Sequence, residues 1–249
     1  MSRQRLGQHF LIRGSVLERI AAAVCPAPVD LVIEIGPGRG ALTEKLLKRA
    51  ARVVAVEVDP FLVDHLRRKF AGEPRLEVVY GDILHTDLAQ WGRAPVAGNL
   101  PYYITSPILQ QTVRSNVPRA VFLIQKEVAE RLVARPGSRE YGYLTVQTAL
   151  FAGARLLFEV KPAAFHPPPK VDSAVVLLEP HGRDWGVDPN RLLRFLCHCF
   201  EHKRKTIRNN LAETYGKELV DAWPEAGLRA EQIAIEDLVA MYARLEAAS

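Results

Sequence analysis

Asn99-Leu-Pro-Tyr102 brings a carboxamide, a backbone carbonyl, a rigid imino acid and an aromatic ring together within four residues. Such a set suits chemistry on an aromatic amine, whose lone pair is delocalised into its ring and attacks poorly. If the Asn99 side-chain oxygen and the Leu100 backbone carbonyl both accept from the amine hydrogens, the nitrogen is drawn toward tetrahedral geometry and its lone pair localises. Pro101 removes a backbone donor and stiffens the turn, so the carbonyl stays aimed. Tyr102 offers a face on which a flat base can stack. Acceptors fixed where positive charge develops act by electrostatic preorganisation, and in-line placement of the amine against an electrophilic methyl adds proximity. No dedicated general base is required, because the methylated ammonium is acidic enough to lose its proton to water. As a bare tetrapeptide the motif is an ordinary turn, so its meaning depends on what stands beside it.

Three other motifs stand beside it, each at the end of an apolar run. Glu34-Ile-Gly-Pro-Gly-Arg-Gly40 follows residues 32–35, and its glycines let a ligand pack against bare backbone at Gly36 and Gly38. Gly36, Gly38 and Ala41 also satisfy the dinucleotide fingerprint, with Glu57 near the distance of a ribose-binding acid, so a nicotinamide enzyme using NAD competes here with one using S-adenosylmethionine. Glu57 closes the second run, where a carboxylate can accept from both hydroxyls of the ribose that both cofactors contain. Asp82, in Gly81-Asp82-Ile83, can accept from an adenine amine or simply cap a helix.

These turns need a scaffold that lines them up. Apolar runs at 32–35, 53–58, 76–80, 96–98 and 120–124 alternate with amphipathic stretches, the pattern of βαβ units and a parallel sheet. Leu42, Leu46 and Ala50 fall on one helical face after the first run, and Val128, Leu132 and Val133 do so after the fifth. Two later runs, 156–160 and 173–178, joined through Phe165-His-Pro-Pro-Pro-Lys170, suit an antiparallel hairpin at the sheet edge. Residues 181–190 break every pattern and predict a domain boundary. Beyond them, Leu192, Leu193, Leu196, Phe200, Ile207 and Leu211 form one helix-spaced stripe, and Ile233, Leu238, Met241 and Leu245 another. The expectation is a catalytic domain over 1–180, with residues 1–30 as a segment contacting cofactor or RNA, and a helical domain over 181–249.

The 249 residues suffice for one α/β core and a small appendage, and 48% apolar with 24% charged residues excludes disordered and collagen-like classes. No run reaches the ~18 apolar residues of a membrane span, and the start is polar and basic, so the expected compartment is the cytoplasm. Cys25, Cys197 and Cys199 make no disulfide framework, and Cys199, His198 and His202 fall short of a structural metal site, so no metal is expected. A net charge of +5 and a pI near 9.2 are consistent with a polyanionic partner. The cations concentrate at Arg3, Arg5, Arg13 and Arg19 and again at Lys203, Arg204, Lys205 and Arg208, either as solvated faces or as phosphate contacts. A monomer is the default.

Gly7-Gln-His-Phe-Leu11, the motifs at 34–40, 81–82 and 99–102, Phe165-His-Pro-Pro-Pro-Lys-Val-Asp-Ser173 and Arg204-Lys-Thr-Ile-Arg-Asn-Asn-Leu211 occur in this order. Together they resemble the ribosomal RNA adenine N6-dimethyltransferases of the KsgA type, over nearly the whole chain. The resemblance implies a class I methyltransferase fold, Rossmann-like, with a mostly parallel seven-stranded sheet, an antiparallel edge hairpin and a small C-terminal α-helical domain. It implies S-adenosylmethionine as cofactor, with His9 and Leu11 folding over it, Gly36 at its methionine part, Glu57, Asp82 and Asn99 at ribose, adenine and methionine end, and Gly38 and Ile83 also among the cofactor-binding residues. Position 9 is often Asn in such relatives, so a backbone contact there survives where a side-chain contact does not. Phe165 is expected to close the pocket opposite Tyr102 and sandwich the target adenine. The substrate implied is a pair of adjacent adenosines in a hairpin loop near the 3′ end of small-subunit (16S) rRNA, unstacked for reaction, with the basic clusters on phosphates. A resistance methyltransferase acting on an adenine of large-subunit RNA shares the catalytic motifs and is the nearest alternative; the 171–174 and 204–211 segments favour the small-subunit type.

Overall fold

The computed structural model describes residues 9–115 and 117–247. Valine, isoleucine and alanine dominate residues 32–35, 53–56 and 120–124, and these are buried without alternation, as strands covered on both faces require. The strands are β1 (Phe10–Leu11), β2 (Val29–Ile35), β3 (Ala50–Glu57), β4 (Leu76–Tyr80), β5 (Val96–Asn99), β6 (Ala120–Gln125), β7 (Ala152–Val160), β8 (Phe165–His166) and β9 (Ser173–Pro180). Seven of them form one sheet in the order β4-β3-β2-β5-β6-β9-β7, while β1 and β8 pair separately as a two-stranded sheet. Pairing from β4 to β6 is parallel, and β9 runs antiparallel to β6. The expected fold class holds.

The order reverses at β2, which has β3 on one side and β5 on the other, and the carboxyl ends of strands at such a switch point are where open α/β sheets bind ligands. Register brings the motifs level: Ile35 pairs with Val56 and with Gly98, Glu57 with Tyr80, and Asn99 with Leu123. Gly98 is demanded by this packing, since a Cβ there would lie 2.7 Å from the Ile35 carbonyl oxygen.

Helices α1 (Gly14–Val24), α2 (Thr43–Leu46), α3 (Pro60–Lys69), α4 (Thr105–Arg114) and α5 (Lys126–Leu132) accompany the strands. Leu17, Ile20, Ala21 and Val24 give α1 a buried stripe at helical spacing, an element that the basic charge of this segment hid in the sequence. The helix after β2 is shorter than its apolar spacing predicts: α2 ends at Leu46, and Ala50 begins β3. Val133 likewise falls beyond α5. The late strand pair lies at the sheet edge, but the Phe165–His166 stretch between its members crosses to β1.

The chain forms two units, Met1–Ala129 with Gly153–Pro180, and Glu130–Ala152 with His181–Ser249. A cut at 181 alone therefore misassigns Glu130–Ala152. This excursion contributes Tyr141, Val146 and Leu150 to the core that also contains Leu192, Phe195 and Leu238. The Tyr141 hydroxyl donates to Ile233 O at 3.0 Å and Gly137 N–H to Glu231 O at 2.7 Å. The second unit's remaining helices are α6 (Tyr143–Ala149), α7 (Pro189–Phe200), α8 (Ile207–Tyr215), α9 (Lys217–Asp221) and α10 (Ile235–Ala247).

Gly98→Ala should lower the unfolding free energy by about 1–3 kcal/mol, because the colliding atom is backbone and β2 must shift away from β5. Urea titration of wild type and variant measures it; an unchanged midpoint would show that the strands are looser than this contact implies.

Candidate active site

A cleft of about 360 Å³ opens at the carboxyl ends of β2, β3, β4 and β5, within the size range of small-molecule sites. Its floor is the turn after β2, where Gly36 N–H donates to Val56 O at 2.9 Å and both Gly36 (φ 65°) and Gly38 (φ 57°) take left-handed backbone.

Glu57 stands at the end of β3, nearly buried, with each carboxylate oxygen anchored. Oε1 accepts from Val58 and Asp59 N–H at 3.0 Å each, and Oε2 accepts from Gly38 N–H at 3.1 Å. Burial raises its pKa, while these three donors pull the other way and favour the anion. One lone pair remains, on Oε2, for a ligand's hydroxyl.

Glu34, one residue before the end of β2, also lines the cleft, and the sequence reading gave it no role. Fully buried, it accepts from Thr43 Oγ1 at 2.6 Å, and burial first of all pushes its pKa up to about 8. An acid between apolar residues in Val32-Ile-Glu-Ile35 is the signal that was available.

Asp82 combines the two readings open to it. It caps the turn at Ile83–His85 by accepting from Leu84 N–H at 3.0 Å, and it lines the cleft together with Ile83. Its loop is braced from behind: Thr86 Oγ1 donates to Asp82 O at 2.7 Å, and Gln111 Nε2 on α4 donates to Thr86 O at 2.8 Å.

Asn99 ends β5, where its Nδ2 donates to the His9 carbonyl at 3.0 Å, leaving Oδ1 as the acceptor for other partners. Leu100 N–H donates to Leu123 O at 3.0 Å, and Pro101 O accepts from Ile104 N–H at 3.2 Å and from Thr105 Oγ1 at 3.1 Å. The turn is thus held on both sides of Leu100. Tyr102 shares a 2.9 Å hydrogen bond with Ser173, and burial raises its phenol pKa. Its ring lies 5.9 Å from that of His9, tilted by 32°.

His9, Leu11, Gly36, Gly38, Glu57, Asp82, Ile83, Asn99, Leu100, Pro101 and Tyr102 all border this one cleft. Phe165 does not. It is 3% exposed and packs in the core with Leu11, Leu17 and Val175, whereas the next residue, His166, borders the cleft. Side chains alternate across a strand, so within β8 the phenylalanine turns inward and the histidine outward. Exposed Tyr103, which the sequence reading passed over, is a further aromatic at the rim.

The cations expected at RNA belong mostly to the second unit. Lys203, Arg204, Lys205 and Arg208 are exposed in the second unit around the α7–α8 turn. Arg208 pairs with Asp221 at 2.6 Å, and Lys203 donates to the Arg139 carbonyl. Arg3 and Arg5 lie outside the described residues. Among the described residues, no helix is long and apolar enough to cross a membrane.

A family model described as ribosomal RNA adenine dimethylase matches residues 1–246. The chain belongs to this family. Similar proteins include the ribosomal RNA small subunit methyltransferase A of Acidobacterium capsulatum, 42% identical over 97% of this chain and 90% of that protein. The same-named protein of Methylococcus capsulatus is 41% identical over 98% of this chain and 97% of its own length. Among solved structures, a dimethyladenosine transferase from Plasmodium falciparum is similar, with a TM-score of 0.81, 26% identity, and coverage of 96% of this chain and 98% of that one. The 23S rRNA methyltransferase ErmE is also similar, with a TM-score of 0.71, 29% identity, and coverage of 95% and 99%.

The dimethylases use S-adenosylmethionine, which supplies a methyl carbon made electrophilic by its sulfonium sulfur. The cleft fits it: acceptors at Glu57 and Asp82 suit a ribose and an adenine amine, Ile83 gives an apolar face for a flat base, and bare glycine backbone leaves room at the turn.

Glu34 makes stability fall with rising pH. Its folded-state value near 8 exceeds the ordinary 4.5, so between these limits the folded chain keeps a proton that the unfolded chain has lost. The stabilisation is complete below about 4.5 and is lost as pH climbs toward 8, at up to about 1.4 kcal/mol per unit. Urea unfolding at several pH values should show Glu34→Gln with a flatter dependence and a gain over wild type at pH near 8; parallel curves would mean that Glu34 is ionised in the folded chain.

Proposed function

We infer that this chain transfers methyl groups from S-adenosylmethionine to the N6 amines of two adjacent adenosines in a hairpin loop near the 3′ end of small-subunit (16S) rRNA, during assembly of the subunit. The observation that carries this reading is the Asn99 turn: a carboxamide with its nitrogen already engaged and its oxygen left to accept, on the same cleft as the nucleoside-binding carboxylates. In this reading Asn99 Oδ1 and the Leu100 carbonyl grip the amine hydrogens, Tyr102 supports the base, and Pro101 keeps the turn stiff. His9, Leu11, Gly36, Gly38, Glu57, Asp82 and Ile83 hold the methyl donor. Tyr103 and His166, rather than Phe165, are the rim aromatics positioned to meet the base. The target must leave its stack to reach such a cleft, and loop RNA allows that at low cost. Lys203, Arg204, Lys205 and Arg208 contact phosphates of the RNA, and the enzyme works as a cytoplasmic monomer.

Labelled S-adenosylmethionine and small subunits lacking the modification test the assignment. N6,N6-dimethyladenosine should appear at the loop pair after nuclease digestion; label on isolated large subunits alone would transfer the chain to the ErmE-like activity. Asn99→Ala should lower kcat about a hundredfold or more while cofactor affinity stays within a few-fold, the pattern of an acceptor used mainly in the transition state. Glu57→Ala should instead weaken cofactor binding, and unchanged affinity would remove Glu57 from the site. Arg204→Ala with Lys205→Ala should weaken RNA binding across sequences and reduce the slope of log K against log salt by about 0.7 per contact, read from a filter-binding series; an unchanged slope would leave these cations without a phosphate.

A further inference from the structure

We propose that residues 9–11 act as a strap that sets the orientation of the Asn99 carboxamide, so that Asn99 is competent only when the strap is seated on the glycine turn. This rests on the reading that Asn99 Oδ1 accepts from the substrate amine. A carboxamide can sit in its site two ways round. Only one presents oxygen to an amine; the other presents NH2, a donor facing a donor. The His9 carbonyl can only accept, so by taking Nδ2 at 3.0 Å it selects the productive orientation. The selecting group is backbone, which gives it no signature at position 9 itself.

The strap is seated by contacts independent of Asn99. Phe10 and Leu11 pair with His166 and Phe165, and Ile12 N–H donates to Ala164 O at 2.9 Å. The His9 ring nitrogen Nδ1 lies 2.8 Å from Pro167 O. Phe10 lies on the cofactor turn itself: a Cβ on Gly38 would come within 3.1 Å of its ring, and the Arg39 guanidinium covers the ring at 4.5 Å from its centroid. Gly38 in turn donates to Glu57. One continuous set of contacts therefore runs from the ribose-binding carboxylate through the glycine turn and Phe10 to the amide that grips the amine. Phe10 is in this scheme a positioning residue, and its effect on turnover passes through Asn99.

Phe10→Ala tests this in single-turnover methylation of unmethylated small subunits at saturating labelled S-adenosylmethionine, in both the wild-type and the Asn99→Ala backgrounds. The expected result is a fall in the maximal rate of about fivefold to tenfold, the weight of one hydrogen bond, in the wild-type background and no further fall when Asn99 is alanine. Phe10→Leu, which keeps an apolar side chain over Gly38, should restore most of the rate. Should Phe10→Ala fail to fold, as read by thermal melting, Arg39→Gln loosens the same seat and should show the same non-additivity. A raised KM for the methyl donor with an unchanged maximal rate would overturn the proposal, reducing the strap to a cover for the cofactor. Equal falls in both backgrounds would overturn it too, since the strap would then act elsewhere. If Asn99→Ala alone keeps the wild-type rate, the catalytic reading itself fails, an outcome separate from the other two.

Discussion

Lateral register between β2, β3 and β5 is the constraint on which the site depends. Each strand delivers its functional group at its last ladder pair or just past it, so the groups converge only if the strands end level. Ile35 is the reference, paired with Val56 on one side and Gly98 on the other. From that row, Gly36, Glu57 and Asn99 follow at the same height. A slip of one residue in β5 would move Asn99 by about 3.3 Å and turn its side chain to the opposite face. The close approach at Gly98 guards against this, because its backbone fits only where no Cβ meets the Ile35 carbonyl.

Much of this was legible in the sequence because each motif sits at the end of an apolar run, where type and position are read together. Glu57 after Val53-Val-Ala-Val56 and Asn99 after Val96-Ala-Gly98 announce strand ends before any contact is known. Family resemblance then separated a methyl donor from NAD, which the glycine turn alone did not. Other features depended on distance. The bond from Asn99 to His9 spans ninety residues and ends on a carbonyl, so no side-chain pattern encodes it. Glu130–Ala152 lies between two strands of the sheet yet belongs to the helical unit, and a linear reading has no means of seeing an excursion that returns. The inward turn of Phe165 follows from alternation in a strand of two residues, too short to leave a periodic trace.

The polar groups of the cleft share one property that bears on catalysis more than their identity does. Each acceptor is oriented before any ligand arrives. Glu57 is held by three backbone N–H groups, Asp82 by Leu84 N–H and a bracing chain through Thr86 to Gln111, and Asn99 by the His9 carbonyl. The groups that hold these side chains directly, N–H donors at Glu57 and Asp82 and a carbonyl acceptor at Asn99, are mostly main chain, and main chain within a sheet or tight turn moves little. Stabilising positive charge as it grows on an amine requires oxygen dipoles that do not need to reorient during the reaction. A site built this way does its reorganisation during folding, so the cost appears as buried, desolvated groups such as Glu34 and Glu57, whose pKa values are both displaced upward. On the proposed reading, stability given up at these carboxylates and acceptors fixed for the amine are two sides of the same arrangement, in which the sheet, rather than any single side chain, sets where those groups stand.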